Sequence, residues 1–116
     1  MEYRLLEYEE PSANPKVTDG FECAICCPRC GEGISSLHHR TVKVFNRDSE
    51  DEDTGTYAEV RATKVETRRN LPAGNPSRRR DGVVINFDCE QCGSNVGNLC
   101  VAQHKGATFV YWEVDS

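Results

Sequence analysis

Seven of the 116 residues are cysteine, and four of them fall in two short segments of one form. Cys27-Pro28-Arg29-Cys30-Gly31 and Cys89-Glu90-Gln91-Cys92-Gly93 both read C-x-x-C-G. Two thiolates spaced this way aim at one ion if the chain between them makes a tight turn, and N–H groups inside the turn then donate to the sulfurs. The glycine after the second cysteine accepts the left-handed conformation that ends such a turn. In the first segment Pro28 also fixes φ and lowers the entropy lost on ordering. Cys23-Ala24-Ile25-Cys26 has the same spacing, but Cys27 follows it rather than glycine and nothing inside it favours a turn. The expected ligands are therefore Cys27, Cys30, Cys89 and Cys92. Four thiolates in a tetrahedral array suit zinc, with iron as the chief alternative. A site filled by four cysteines is closed, so it folds a protein rather than polarising a substrate. The competing readings are reduced structural cysteines and a redox pair; the second lacks the βαβ surroundings expected of it.

The other chemically capable residues are weaker candidates. His38 and His39 follow the first knuckle, but neighbours on a strand point to opposite faces, so at most one of them aims at the ion. Packing or hydrogen bonding is the simpler role. His104 is expected to be exposed at a turn beside Lys105, and Cys100 to be a small buried hydrophobe in mid-strand. Phe109, Tyr111 and Trp112 offer stacking surfaces of the kind that hold single-stranded nucleic acid. Phe109 and Tyr111 share one strand face and Trp112 lies on the other, so one set is core and no continuous aromatic platform results.

The elements that must position these residues read as strands. TVKVF (41–45) reads as a strand. TYAEVRATKVETR (56–68) alternates with period two, as a half-buried strand does. Residues 70–82, with two prolines, two glycines and three successive arginines, read as loop. VVINFDC places Val83, Ile85, Phe87 and Cys89 on one face. The ending reads as a hairpin, 98–104 and 107–114, about a tight turn at Lys105-Gly106. Residues 1–20 read as a loosely held arm with a short strand or helical turn near Tyr3–Tyr8, and residues 21–116 as one domain. The fold class expected is predominantly β: a small antiparallel sheet with a clasp joining two knuckles.

Composition bounds the rest. Hydrophobic content of 37% and aromatic content of 8% give a modest core, for which a metal staple is a usual supplement. No apolar run reaches a membrane span or a signal-peptide core. The odd number of cysteines argues against a closed disulfide framework, and a reducing, cytoplasmic setting follows as the expectation. The net charge of −5 is unevenly spread. Residues 1–60 hold six basic and thirteen acidic side chains, whereas residues 61–80 hold seven basic and one acidic. A basic segment inside an acidic protein contacts nucleic acid or neutralises the protein's own acidic parts. The run Asp48-Ser49-Glu50-Asp51-Glu52-Asp53 favours the second reading. The first would use Arg68, Arg69, Arg78, Arg79 and Arg80.

The paired knuckles resemble those of the zinc-ribbon group, in which two such turns at the tips of β-hairpins clasp one zinc. Here they stand 58 residues apart, against roughly 15–20 in compact ribbons. Closure entropy grows only logarithmically with loop length, so the separation is tolerable. The chain is also similar to small bacterial and phage-borne proteins with paired knuckles, an N-P-S-x-R-R segment and a Q-H-K-G-x-T-x-V-x-W-E ending. Those motifs stand here as Asn75 to Arg80 and Gln103 to Glu113. This resemblance implies no particular activity. The resulting expectation is a monomeric, cytoplasmic, non-catalytic binding or adaptor module stabilised by one structural Zn2+ and contacting another protein. A nucleic-acid-binding accessory protein, and a small metalloenzyme or thiol redox protein, are the alternatives.

Overall fold

A computed structural model describes residues 2–3, 25–31 and 37–114. Its elements are β1 (Glu2–Tyr3), β2 (Leu37–Arg47), β3 (Thr54–Arg61), β4 (Lys64–Asn70), β5 (Gly82–Cys89), β6 (Gly93–His104) and β7 (Ala107–Val114). They form one antiparallel sheet in the order β1-β7-β6-β5-β2-β3-β4. No helix among the described residues is long and apolar enough to cross a membrane.

The strands pair antiparallel with register shifts in the β2–β5, β3–β4 and β5–β6 ladders, and one departure from the expected elements is instructive. Residues 56–68 do not run as one strand. The chain reverses at Ala62-Thr63, and β3 and β4 pair with Arg61 opposite Lys64. The two-residue turn places Ala62 at φ +52°, a conformation usually left to Gly, Asn or Asp. Alternation continues through the reversal, so nothing in the pattern marked it. The turn at Lys105-Gly106 is the expected one, with φ of +49° and +83°, the double left-handed geometry that matches strand twist. Of the expected N-terminal arm, Glu2 and Tyr3 pair with Val114 and Glu113 as β1, and residues 4–20 lie outside the described residues.

Pairing aligns Ile85, Leu99 and Trp112 across β5, β6 and β7. With Phe87 and Val96 they make the main core, where Phe87 meets the Trp112 ring edge-on at 5.5 Å. The opposite face carries a smaller cluster of Cys100, Ala102 and Tyr111 packed with Val84. Trp112 and Tyr111 are thus both buried, on opposite faces, as strand alternation requires. At the far end of the sheet Phe45 packs on Tyr57 at 5.1 Å.

Candidate metal centre

The first knuckle is a turn closed by the Gly31 N–H donating to the Cys27 carbonyl at 2.9 Å. The second is the tip of the β5–β6 hairpin, where Cys89 pairs with Gly93. Gly31 and Gly93 stand at φ +79° and +103°. A Cβ at either position would meet nothing within 4 Å, so backbone conformation, not space, calls for glycine there. A different glycine seats the first knuckle on the sheet. A Cβ at Gly97 would lie 3.2 Å from Pro28 Cγ and 3.0 Å from Val114 Cγ1, so the bare position lets the knuckle lie close against β6 without either neighbour giving way. The start of β2 pairs Leu37 with Cys89, which brings the strand following the first knuckle alongside the second.

The result is a single group of four sulfurs, those of Cys27, Cys30, Cys89 and Cys92, all within 4.8 Å of one another. Cys27 Sγ lies 4.0 Å from Cys92 Sγ, and Cys30 Sγ lies 3.7 Å from Cys89 Sγ. Four sulfurs about 2.3 Å from a central zinc would stand about 3.8 Å apart. These two separations bracket that edge length and none of the six exceeds 4.8 Å, so the donor set is compatible with a tetrahedral cation. The Arg29 N–H donates to Cys27 Sγ at 3.4 Å, the turn-to-sulfur bond that the C-x-x-C spacing anticipates. Cys27 and Cys89 are 2% and 3% exposed and belong to the Trp112 core, whereas Cys30 is exposed. The site therefore joins the core on one side and faces solvent on the other.

The thiols are electrostatically unequal. Burial raises the Cys27 pKa despite hydrogen bonds from the Cys30 and Arg29 backbone. At Cys89 burial acts the same way, but hydrogen bonds from the Cys92 and Gln91 backbone and from the Cys27 and Cys30 thiols together outweigh it and bring the thiol down to about 7. Burial, then hydrogen bonding among the neighbouring thiols, pushes Cys92 up to about 12. Four sulfurs this close cannot all ionise unaided, and a coordinating cation removes that conflict by deprotonating its thiols outright.

The remaining candidates sort as follows. His38 Nε2 sits 2.8 Å from Glu90 Oε2, an exposed pair that braces the second knuckle from outside, and His39 is exposed. Cys26 is buried and outside the four-sulfur group; Cys23 lies outside the described residues. Cys100 is buried as expected, and burial followed by the Glu113 charge pushes its thiol up to about 12. His104 is half-buried, not exposed, because its ring lies 6.2 Å from that of Phe109 across the hairpin end.

Three arginines of the basic segment pair with the acidic run. Arg79 meets Asp51 at 3.0 Å and also Glu50; Arg80 meets Glu50 at 3.0 Å, and Arg69 meets Asp48 at 2.5 Å. Arg68 lies over the Tyr57 ring, 5.1 Å from its centroid. Arg78 offers its carbonyl to Arg47 Nη2 at 3.0 Å.

Arg47 is the residue that sequence reading passed over. Its side chain, 9% exposed, also donates to the carbonyls of Arg80 and Glu52, while its backbone N–H donates to Asp81. It clamps the 71–81 loop to the end of β2, and a lone arginine after an apolar strand gives no local sign of that. The N-P-S segment has a related task. Asn75 accepts from the Ser77 N–H and donates to the Arg80 carbonyl, and Ser77 Oγ donates to the Gln103 carbonyl at 2.8 Å. The N-P-S and Q-H-K-G motifs are thereby halves of one contact.

No protein-family model, curated protein or solved structure matches this chain.

Proposed function

We propose that this protein is a non-catalytic binding module whose sheet is stapled by one structural zinc ion held by Cys27, Cys30, Cys89 and Cys92, and that it works in the cytoplasm by contacting another protein. The observation that carries the reading is the convergence of four sulfurs from two distant segments, with separations of 3.7 and 4.0 Å, against the hydrophobic core. When bound, zinc would supply a four-way cross-link. Four protein ligands leave no position for substrate water, and a d10 ion carries no redox chemistry. Thiolate donors favour zinc over magnesium or calcium, which take oxygen. Protein contact is favoured over nucleic acid because Arg69, Arg79 and Arg80 already face Asp48, Asp51 and Glu50, which lowers the positive field left for phosphates.

Metal analysis of protein purified without added metal tests the site. One zinc per chain is expected, and cobalt exchanged into it should give the visible absorption of a tetrahedral thiolate site. Metal-free, fully folded protein, or protein coloured by iron, overturns the reading.

A further inference from the structure

One edge of the sheet is β4, and all seven of its residues are exposed. Val65 there is 72% exposed and its cross-strand neighbour Val60 is 44% exposed. The β3–β4 turn fixes which backbone groups point outward. Arg61 and Lys64 flank a two-residue turn and pair directly, so they form a hydrogen-bonded pair, and such pairs then alternate with non-bonded ones. Glu66 and Arg68 therefore turn their N–H and C=O groups toward β3. Val65 and Thr67 turn theirs away from the sheet; beyond Arg68 the register shifts and the Leu71 N–H donates to the Asp53 carbonyl at 2.9 Å, so the alternation stops short of Arg69.

We propose that β4 pairs antiparallel with β4 of a second copy of this chain, about a two-fold axis at Thr67. The outward groups allow only axes through a residue of the strand, and charge together with the length of the resulting ladder decides among them. An axis at Glu66 sets Glu66 against Glu66 and Lys64 against Arg68. An axis at Arg68 sets Arg68 against itself, and one at Val65 joins only the hairpin tips. An axis at Thr67 sets Glu66 against Arg68 twice, Val65 against Arg69 twice and Lys64 against Asn70 twice. Like charges directly opposite destabilise a ladder and opposite charges support it. The Glu66–Arg68 pairs also fall at non-hydrogen-bonded positions of the new ladder, where opposed side chains are closest. The two Thr67 residues exchange backbone hydrogen bonds across the axis, while Arg69 keeps its guanidinium on Asp48 of its own chain. Charged residues commonly guard an edge against association. In this strand the guard is self-complementary, because the sequence read backwards matches each charge with its opposite or with a neutral residue. The inference names a partner for the protein-contact reading above and needs only the folded sheet, not the identity of the metal.

Sedimentation equilibrium of the intact, zinc-analysed protein from micromolar to several hundred micromolar tests it, with melting temperature and metal content measured on every variant. A reversible monomer–dimer equilibrium is expected. Thr67→Pro removes an outward N–H without touching the β3 ladder, so it should weaken self-association at least tenfold while leaving fold and metal intact. Glu66→Arg and Arg68→Glu should each do the same by opposing like charges. Mixing those two folded variants should restore a one-to-one dimer, since each then presents the charge the other lacks. A wild-type chain that stays monomeric throughout, a dimer indifferent to Thr67→Pro, or mixed variants that fail to associate overturns the proposal. Loss of metal or of the fold would register separately in the parallel measurements.

Discussion

Replacing Cys30 with serine isolates the contribution of the metal. Cys30 is exposed, so its substitution removes almost no buried apolar surface, unlike Cys27 or Cys89. Any large loss of stability must then come from ligation. Cys30 and Cys89 are 59 positions apart, and closing a loop of that size in the unfolded chain is worth about 4 kcal/mol on the cross-link relation. Metal–thiolate bonding adds to this, and structural zinc in small peptides contributes on the order of 10–16 kcal/mol in all. Domains of this kind are stable by only about 5–15 kcal/mol. Even the cross-link alone, at about 4 °C per kcal/mol, corresponds to roughly 15 °C in melting temperature. Calorimetry of wild type and Cys30→Ser, each with and without a strong chelator, reads the effect. The wild type should lose at least that much on chelation, whereas the variant should begin low and respond little. A Cys30→Ser protein with wild-type melting and one zinc per chain would refute the assignment of ligands and the stabilising role together.

Other consequences are open to direct measurement. Cys26 is buried but outside the four-sulfur group, so Cys26→Ser should keep one zinc per chain by metal analysis while costing about 1–3 kcal/mol for a buried hydroxyl. Tyr57 is pushed up to about 12 by burial and then by its 2.5 Å hydrogen bond to Glu59, whose own pKa that bond lowers. An unfolded tyrosine ionises near 10, so the folded state holds its proton longer and stability should fall as pH rises between about 10 and 12. The Glu59 contribution runs the other way, present above its unfolded pKa and lost as pH falls through the lower folded value. Denaturation across both ranges should show the two slopes, and Tyr57→Phe should flatten them. Cys100, buried with its thiol pushed up to about 12, should resist alkylation at pH 8 in the native protein and react only on unfolding, as mass spectrometry of the labelled chain would show. Fluorescence anisotropy should find no appreciable oligonucleotide binding near physiological salt. Micromolar, salt-sensitive binding abolished by Arg78→Ala, Arg79→Ala and Arg80→Ala together would contradict the pairing of that segment with the acidic run.

The sequence alone determined the features that depend on short-range geometry. C-x-x-C-G fixes both knuckles because a tight turn ending in left-handed glycine is a property of five consecutive residues, and Gly31 and Gly93 adopt it. Period-two alternation fixed the β class and the split of Tyr111 from Trp112, since side chains on a strand must alternate. The Lys105-Gly106 turn was legible for the same local reason. Only the tertiary structure decided where alternation stops being informative. The reversal at Ala62-Thr63 keeps the period unbroken and uses an alanine at positive φ, so pattern and turn chemistry both read through it. That one reversal makes β4 an edge and exposes Val65. The choice among ion pairs was likewise not local. Arg79 and Asp51 lie 28 positions apart, and the Arg47 clamp reaches carbonyls 31 and 33 positions away. Charge composition can say that such groups offset one another. Which cation meets which anion, and which backbone carbonyls a buried arginine gathers, is set by strand register and loop path, and those exist only once the sheet has formed.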